Sequence, residues 1–205
     1  MFTGIMQGIC EVTSIRRESD LLTYEVDLGA ERVSGLQPGA SVSIEGVCQT
    51  VVAISGHRVT FDAIRETLDL TTLGSLEVGG HVAVERSARV GDEVGGHDVA
   101  GHVVGQGEVV EARHEGDIRM LRVAIFGEWM KYVLEKGFIA VNGSSLTACE
   151  VRRDEGSFAV HLIPETLRLT CLGDKRLGDR VNIELDTRTV AIVDTVERVM
   201  AEREA

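Results

Sequence analysis

The 205 residues carry 33 Asp and Glu against 21 Lys and Arg, a formal charge of -12, with 43% hydrophobic residues and 2 Pro. Such a chain has apolar content for one or two cores, and its acidic balance without a Lys/Arg run argues against DNA, RNA and membrane surfaces as partners. Cys10, Cys48, Cys149 and Cys171 form no C-x-x-C pair, no signal-peptide pattern opens the chain, and no run of about 20 apolar residues offers a membrane span; a reduced, cytoplasmic protein is expected.

In chain order, Ala40 to Ile44 and Arg58 to Ala63 alternate as strands, Glu66 to Leu73 reads as one or two helical turns, and His81 to Glu85 is a further strand. A glycine-rich junction, Gly95-Gly96-His97-Asp98-Val99-Ala100-Gly101-His102, follows. Gly127 to Gly137 begins acidic and ends in lysine and glycine, which predicts a helix. Strands are then expected at Phe138 to Val141, Ser157 to Leu162 and Arg180 to Leu185, with a short helical piece at Glu165 to Leu172. At the C-terminus Ile192, Val193, Val196, Val199 and Met200 form an apolar stripe, to be covered either by the chain's own barrel or by copies of itself.

The chain repeats itself. Gly46-Val47-Cys48-Gln49-Thr50 matches Gly143-Ser144-Ser145-Leu146-Thr147, and Glu66-Thr67-Leu68 through Gly74 matches Glu165-Thr166-Leu167 through Gly173. Gly4, Gly8, Glu11 and Val12 match Gly101, Gly105, Glu108 and Val109, while Glu85 matches Glu184. Four blocks in one order imply duplication. Short strands punctuated by glycine favour closure, because a closed sheet has no edges. The expected fold is all-β: two homologous six-stranded closed barrels in tandem with short helices and a C-terminal helix, divided at 1–96, 97–186 and 187–205.

Several residues could carry chemistry. Cys48 and its counterpart Ser145 are either small fillers of a barrel wall or pocket residues offering a nucleophile or polar contact. His97 and His102, five apart, would lie on opposite faces of a continuous strand and do not read as ligands of one metal; surface or capping roles compete with ligand contact. Asp62, Thr67 and Thr166, with Glu66 and Glu165, could bind a polyol or cap the short helices. No phosphate loop, zinc motif, hydrolase elbow or dinucleotide fingerprint is present.

The opening Met1-Phe2-Thr3-Gly4-Ile5, the Gly-Gly-His junction and the paired Glu-Thr-Leu-x-x-Thr-x-Leu-Gly blocks resemble the α-type riboflavin synthase family over nearly the whole chain. The resemblance implies a four-carbon transfer between two 6,7-dimethyl-8-ribityllumazine molecules, giving riboflavin and 5-amino-6-ribitylamino-uracil without metal or organic cofactor. It also implies a homotrimer with two lumazines per site, each site shared between the N-terminal barrel of one chain and the C-terminal barrel of the next, and it leaves room for contact with lumazine synthase. Phe2, Ser41, Cys48, His102 and Asp186 resemble the catalytic neighbourhood. Gly4, Ile5, Thr50, Asp62, Thr67, Lys136, Ser145, Thr147 and Thr166 resemble ligand contacts. The chain departs from the family pattern at Glu45 (asparagine), Gln49 (leucine), Asp98 (apolar), Ala100 (serine) and Asn142 (aspartate). The alternative is a paralogue that binds lumazine or flavin without converting it.

Overall fold

The computed structural model describes residues 1–204. In the first half β1 (Gly8–Arg17), β2 (Leu21–Asp27), β3 (Ser41–Ile44), β4 (Val47–Ser55), β5 (Arg58–Ile64) and β6 (His81–Arg86) close a barrel in the order β1-β2-β5-β4-β3-β6. Alternation sets its inside and outside. Val59, Phe61 and Ala63 of β5 join Leu22, Tyr24 and Val26 of β2 in the core, while Thr60 and Asp62 face outward. α1 (Gly29–Val33) and α2 (Arg65–Leu70) are short, and a 3-10 turn at Thr72–Ser75 follows α2.

The second half repeats this plan with one break. β7 (Gly105–Glu115), β8 (Ile118–Ala124), β9 (Phe138–Val141), β10 (Ser144–Thr147), β11 (Cys149–Arg152), β12 (Ser157–Leu162) and β13 (Arg180–Leu185) form a seven-stranded sheet, β10-β9-β13-β7-β8-β12-β11. The counterpart of β4 is cut at Ala148, whose N–H and carbonyl bond to Gly137 and Lys136 just as those of Val51 in β4 bond to Ala40 and Gly39. Glu150 then adopts a left-handed φ of 46°, and pairing with β12 is irregular between Cys149 and Arg152. The expected second six-stranded closed barrel is therefore a nearly closed seven-stranded sheet, whose end strands adjoin in sequence through Ala148. α3 (Pro164–Leu169) and a 3-10 turn at Cys171–Asp174 match α2 and its turn.

The helix expected over Gly127 to Gly137 is only a 3-10 segment, Gly127–Tyr132. Its N-terminus has no side-chain cap, Met130 and Val133 are drawn into the core, and Trp129 packs against Gly105. The C-terminal helix α4 (Thr187–Glu204) is present, but its stripe is not covered by the barrel: Ile192, Val196, Val199 and Met200 are exposed. α4 meets the rest of the chain through Lys131–Glu197, Tyr132–Asp194 and Arg188–Asp98 contacts and through Val190.

The halves meet about a pseudo-twofold axis. Phe2 and its repeat counterpart Val99 pair antiparallel, with N···O distances of 2.7 and 3.1 Å. His97 and His102 therefore do not share a continuous strand, because Val99 forms an isolated bridge and Gly101 turns the chain at φ 79°. From this bridge the two leading segments cross: Gly4 accepts from Ser145 N at 2.8 Å, and Gly101 accepts from Cys48 N at 2.9 Å. Each half thus lends a segment to the other half's wall.

Candidate active site

The crossing segments build two matching pockets. In the first half, about 190 Å³ is enclosed by Cys48 of β4, Glu66 and Thr67 of α2, and Gly101 and His102 of the crossing segment. In the second, about 150 Å³ is enclosed by Ser145 of β10, Glu165 and Thr166 of α3, and Gly4 and Ile5. Close approach is built in: a Cβ on Gly101 would stand 2.6 Å from Cys48 Cβ, and one on Gly4 would stand 2.5 Å from Ser145 Cβ. Thr67 and Thr166 line the pockets and cap neither helix; Thr71 and Thr170, which accept from Leu73 N and Leu172 N, cap the turns that follow.

Two buried carboxylates fix the crossing segments. Glu85 accepts from Thr3 N and Oγ1, both at 2.7 Å, and from Gly4 N at 3.1 Å. Glu184 accepts from Ala100 N at 2.7 Å and Gly101 N at 2.9 Å. Burial pushes both carboxyls above their ordinary pKa, and these hydrogen bonds only partly offset it. Sequence matching paired these residues without revealing their task.

The other expected residues sort by strand face. Register pairs Ser41 with Thr50 and Ser43 with Cys48, and since Val42, Ile44, Val47 and Val51 fill the core, those four polar residues face outward. Val51 pairs with Phe61, which sets Thr50 and Asp62 on that same outer surface, and Asp62 accepts from Thr23 Oγ1 at 2.7 Å. In the second half Thr147 pairs with Phe138 and Ser145 with Ala140. Lys136 lies in the turn before β9, at φ 64°, with Nζ 3.5 Å from Cys149 Sγ. Asp186 accepts from Thr189 N at 3.0 Å and Oγ1 at 2.6 Å. Burial is the largest single influence and raises its pKa, but the Thr189 bonds, the Arg188 N–H and the nearby His97 together hold it below the ordinary value. Phe2 is buried against Val99 and Ala140, with Cys48 beside them, and serves as a floor between the halves.

Sequence reading left His97 between a surface or capping role and ligand contact. Its ring is buried, stacked on Phe138, with Nδ1 2.6 Å from Ser145 Oγ. A larger cavity, about 560 Å³, lies by Arg17, Arg65 and Arg180. Those guanidiniums are already engaged: Arg17 on the Gly74 and Leu76 carbonyls, Arg65 beside Asp20 and Asp69, Arg180 beside Glu108. The paired pockets are the better site, gathering Cys48, Thr67 and His102 in one and Gly4, Ile5, Ser145 and Thr166 in the other; Phe2, Ser41, Thr50, Asp62, Lys136, Thr147 and Asp186 do not line them.

The lumazine binding domain model matches residues 3–87 and again 100–186. The riboflavin synthase of Escherichia coli (strain K12) is 48% identical over 205 residues, which are 100% of this chain and 95% of that protein. The chain belongs to the riboflavin synthase family. The riboflavin synthase of Buchnera aphidicola subsp. Schizaphis graminum (strain Sg) is 41% identical over 202 residues, 98% of this chain and 96% of that protein. Among solved structures, LumP complexed with riboflavin superposes with a TM-score of 0.84 at 26% identity, and LumP complexed with 6,7-dimethyl-8-(1'-D-ribityl) lumazine with 0.82 at 25%. Each match covers 91% of this chain and 100% of that one.

The departures from the riboflavin synthase pattern avoid both pockets' linings. Glu45 is buried between the halves, accepting from Ala83 N and from Asn142 Nδ2, while Asn142 Oδ1 accepts from Asn182 N at 2.7 Å. Glu45 and Asn142 thus form a buried acid–amide pair across the halves. Gln49 points into the first barrel and accepts from Tyr24 Oη at 3.2 Å; Asp98 pairs with Arg188; Ala100 contributes its backbone N–H to Glu184.

Proposed function

We propose that this chain is a riboflavin synthase that converts two 6,7-dimethyl-8-ribityllumazine molecules into riboflavin and 5-amino-6-ribitylamino-uracil. The observation that carries this reading is the pair of pockets, alike in architecture and unlike in their chemically active residues: Cys48 with His102 in one, Ser145 with Ile5 in the other. A dismutation needs two seats for one ligand, but donor and acceptor must be treated differently. Holding two reactants in register can supply roughly 7–11 kcal/mol of a barrier. Proton transfer by a positioned side chain adds to it.

In this reading the units 1–96 and 97–186 each seat one lumazine, and 187–205 assembles a homotrimer through the exposed stripe of α4. The N-terminal barrel of one chain faces the C-terminal barrel of the next. Ser41, Cys48 and His102 handle the reacting ring and its proton. Thr50, Asp62 and Thr67 hold one ribityl chain; Lys136, Thr147 and Thr166 hold the other, Phe2 floors the site, and Asp186 supplies charge beside it.

Incubating purified protein with the lumazine and following riboflavin by absorbance is the direct test. Riboflavin and the pyrimidine formed in equal amounts are expected. Tight lumazine binding without product would defeat the catalytic reading and leave a carrier.

A further inference from the structure

The strand β13 points its side chains two ways. Val181, Ile183 and Leu185 fill the second core, while Asn182 and Glu184 turn away from it and are still buried. Glu184 holds Ala100 and Gly101, the approach to His102 in the first-half pocket. Asn182 reaches the other wall of the same pocket. Its Oδ1 accepts from Thr72 N at 2.8 Å, and its Nδ2 donates to Thr72 Oγ1 at 2.9 Å and to the Glu45 carbonyl at 2.7 Å. Thr72 does not line the pocket, but it follows Thr71, which does. The Thr71 N–H and hydroxyl both donate to the Thr67 carbonyl, at 3.0 and 2.7 Å.

The second-half pocket lacks the matching brace. Glu85 repeats Glu184 by holding Thr3 and Gly4, but the residue two steps earlier is Ala83, which has no polar side chain, and the counterpart of Thr72 is Cys171. The Cys171 thiol donates to the His81 carbonyl at 3.6 Å and lies beside the Glu45 carboxylate, a weaker attachment than two amide bonds. We infer that Asn182 is a positioning residue for the first-half seat: from the second half it braces the α2 wall, through Thr72 and Thr71, so that Thr67 meets the ligand in a fixed place. The α3 wall keeps more freedom. The inference rests on the function proposed above, in which each pocket seats one lumazine. A reaction that enlarges one ring system and cuts down the other gains from this inequality, since the braced seat keeps its ligand in register while the freer one adjusts.

Lumazine labelled with 13C in its methyl groups reports each seat separately by NMR, because one pocket presents Cys48 and His102 and the other Ser145 and Ile5. The signals that Cys48→Ser displaces belong to the first-half seat. Titrations of the full chain in the cold, before product accumulates, give an affinity for each seat. Asn182→Ala should weaken the first-half seat about 10-fold, the worth of its bonds to Thr72, and leave the second unchanged. Thr72→Ala should weaken the same seat about 3-fold, while Thr72→Ser should match wild type. The double variant Asn182→Ala/Thr72→Ala should be no weaker than Asn182→Ala, because one brace is lost only once. Equal weakening of both seats, which a purely structural role would give, overturns the inference. So do losses that multiply in the double variant, or an unchanged first-half seat in Asn182→Ala. Protein that shows these seat-specific losses but makes no riboflavin defeats the proposed catalysis and leaves the brace standing; a wild type that seats no lumazine in the first half overturns both. Should Asn182→Ala not fold, the Thr72 variants decide: weakening of the first-half seat alone by Thr72→Ala, absent in Thr72→Ser, supports the brace, and an unchanged seat overturns it.

Discussion

Glu85 and Glu184 stand at the same step of the last strand in each half, and each closes on the backbone N–H groups of its own half's leading segment. The carboxylate holds one end of the crossing, and the opposite barrel's β4 or β10 N–H holds the other. Position and charge are thus coupled: the groups that place Ile5 and His102 are ionisable and buried.

That coupling makes stability pH-dependent with a definite sign. A carboxyl whose folded pKa lies above its ordinary 4.5 binds its proton more tightly when folded. Between 4.5 and the raised value the folded chain holds more protons than the unfolded one, so stability falls as pH rises through that window and then levels. Thermal melts of Glu184→Gln across this range should show a shallower decline than wild type. Parallel slopes would remove Glu184 from the effect.

Gly101→Ala should cost about 3 kcal/mol or more, combining backbone strain at positive φ with overpacking on Cys48. Denaturant titration checks the loss. Gly39→Ala, also at positive φ but with open space around it, isolates the strain and should cost distinctly less.

Asn142→Asp places a second carboxyl against buried Glu45 and should destabilise by about 3 kcal/mol. Adding Glu45→Asn restores one acid and one amide, in swapped positions, and should recover most of that loss. A double-mutant cycle in urea measures the coupling, and additive effects would mean the two side chains do not act as a pair.

His102→Gln keeps hydrogen-bonding size but removes the imidazole as a proton acceptor, so riboflavin formation should fall about 100-fold while affinity falls far less. Mixing His102→Gln chains with Ser41→Ala chains should restore part of the rate if sites are shared between chains. Native mass spectrometry confirms the exchange of subunits; exchanged subunits with no recovery would place each site within one chain.

Val196→Glu puts a charge in the exposed stripe of α4 and should dissociate the proposed homotrimer. Sedimentation equilibrium should then give the monomer mass, with riboflavin formation lost in parallel.

The repeat was legible because each half must fill the same barrel with the same inward residues, and Val59-x-Phe61-x-Ala63 shows that period directly. The pocket pairs Cys48/Ser145, His102/Ile5 and Thr67/Thr166 followed from register alone. The crossing of the leading segments did not, because it is made by backbone bonds at Gly4 and Gly101, and a glycine shows freedom without showing direction. The break at Ala148 was hidden too, since it goes with the left-handed φ of Glu150, a residue type that does not announce that conformation. Charge order at Gly127 to Gly137 suggested a longer helix, whereas core packing of Met130 and Val133 shaped the segment.

Gly46 and Gly143 meet on the pseudo-twofold axis so closely that a Cβ on either would fall within 3 Å of the other's backbone. Together with the crossed segments, this describes a joint between equals. A lone half would carry a leading segment with no wall to meet and a wall with no segment to receive. A second copy, turned about that axis, supplies both. The ancestor consistent with this geometry is a symmetric pair of single barrels that traded leading segments, later joined end to end. Joining freed each barrel to change alone, and the two have parted at Cys48 and Ser145 and at His102 and Ile5 among other places.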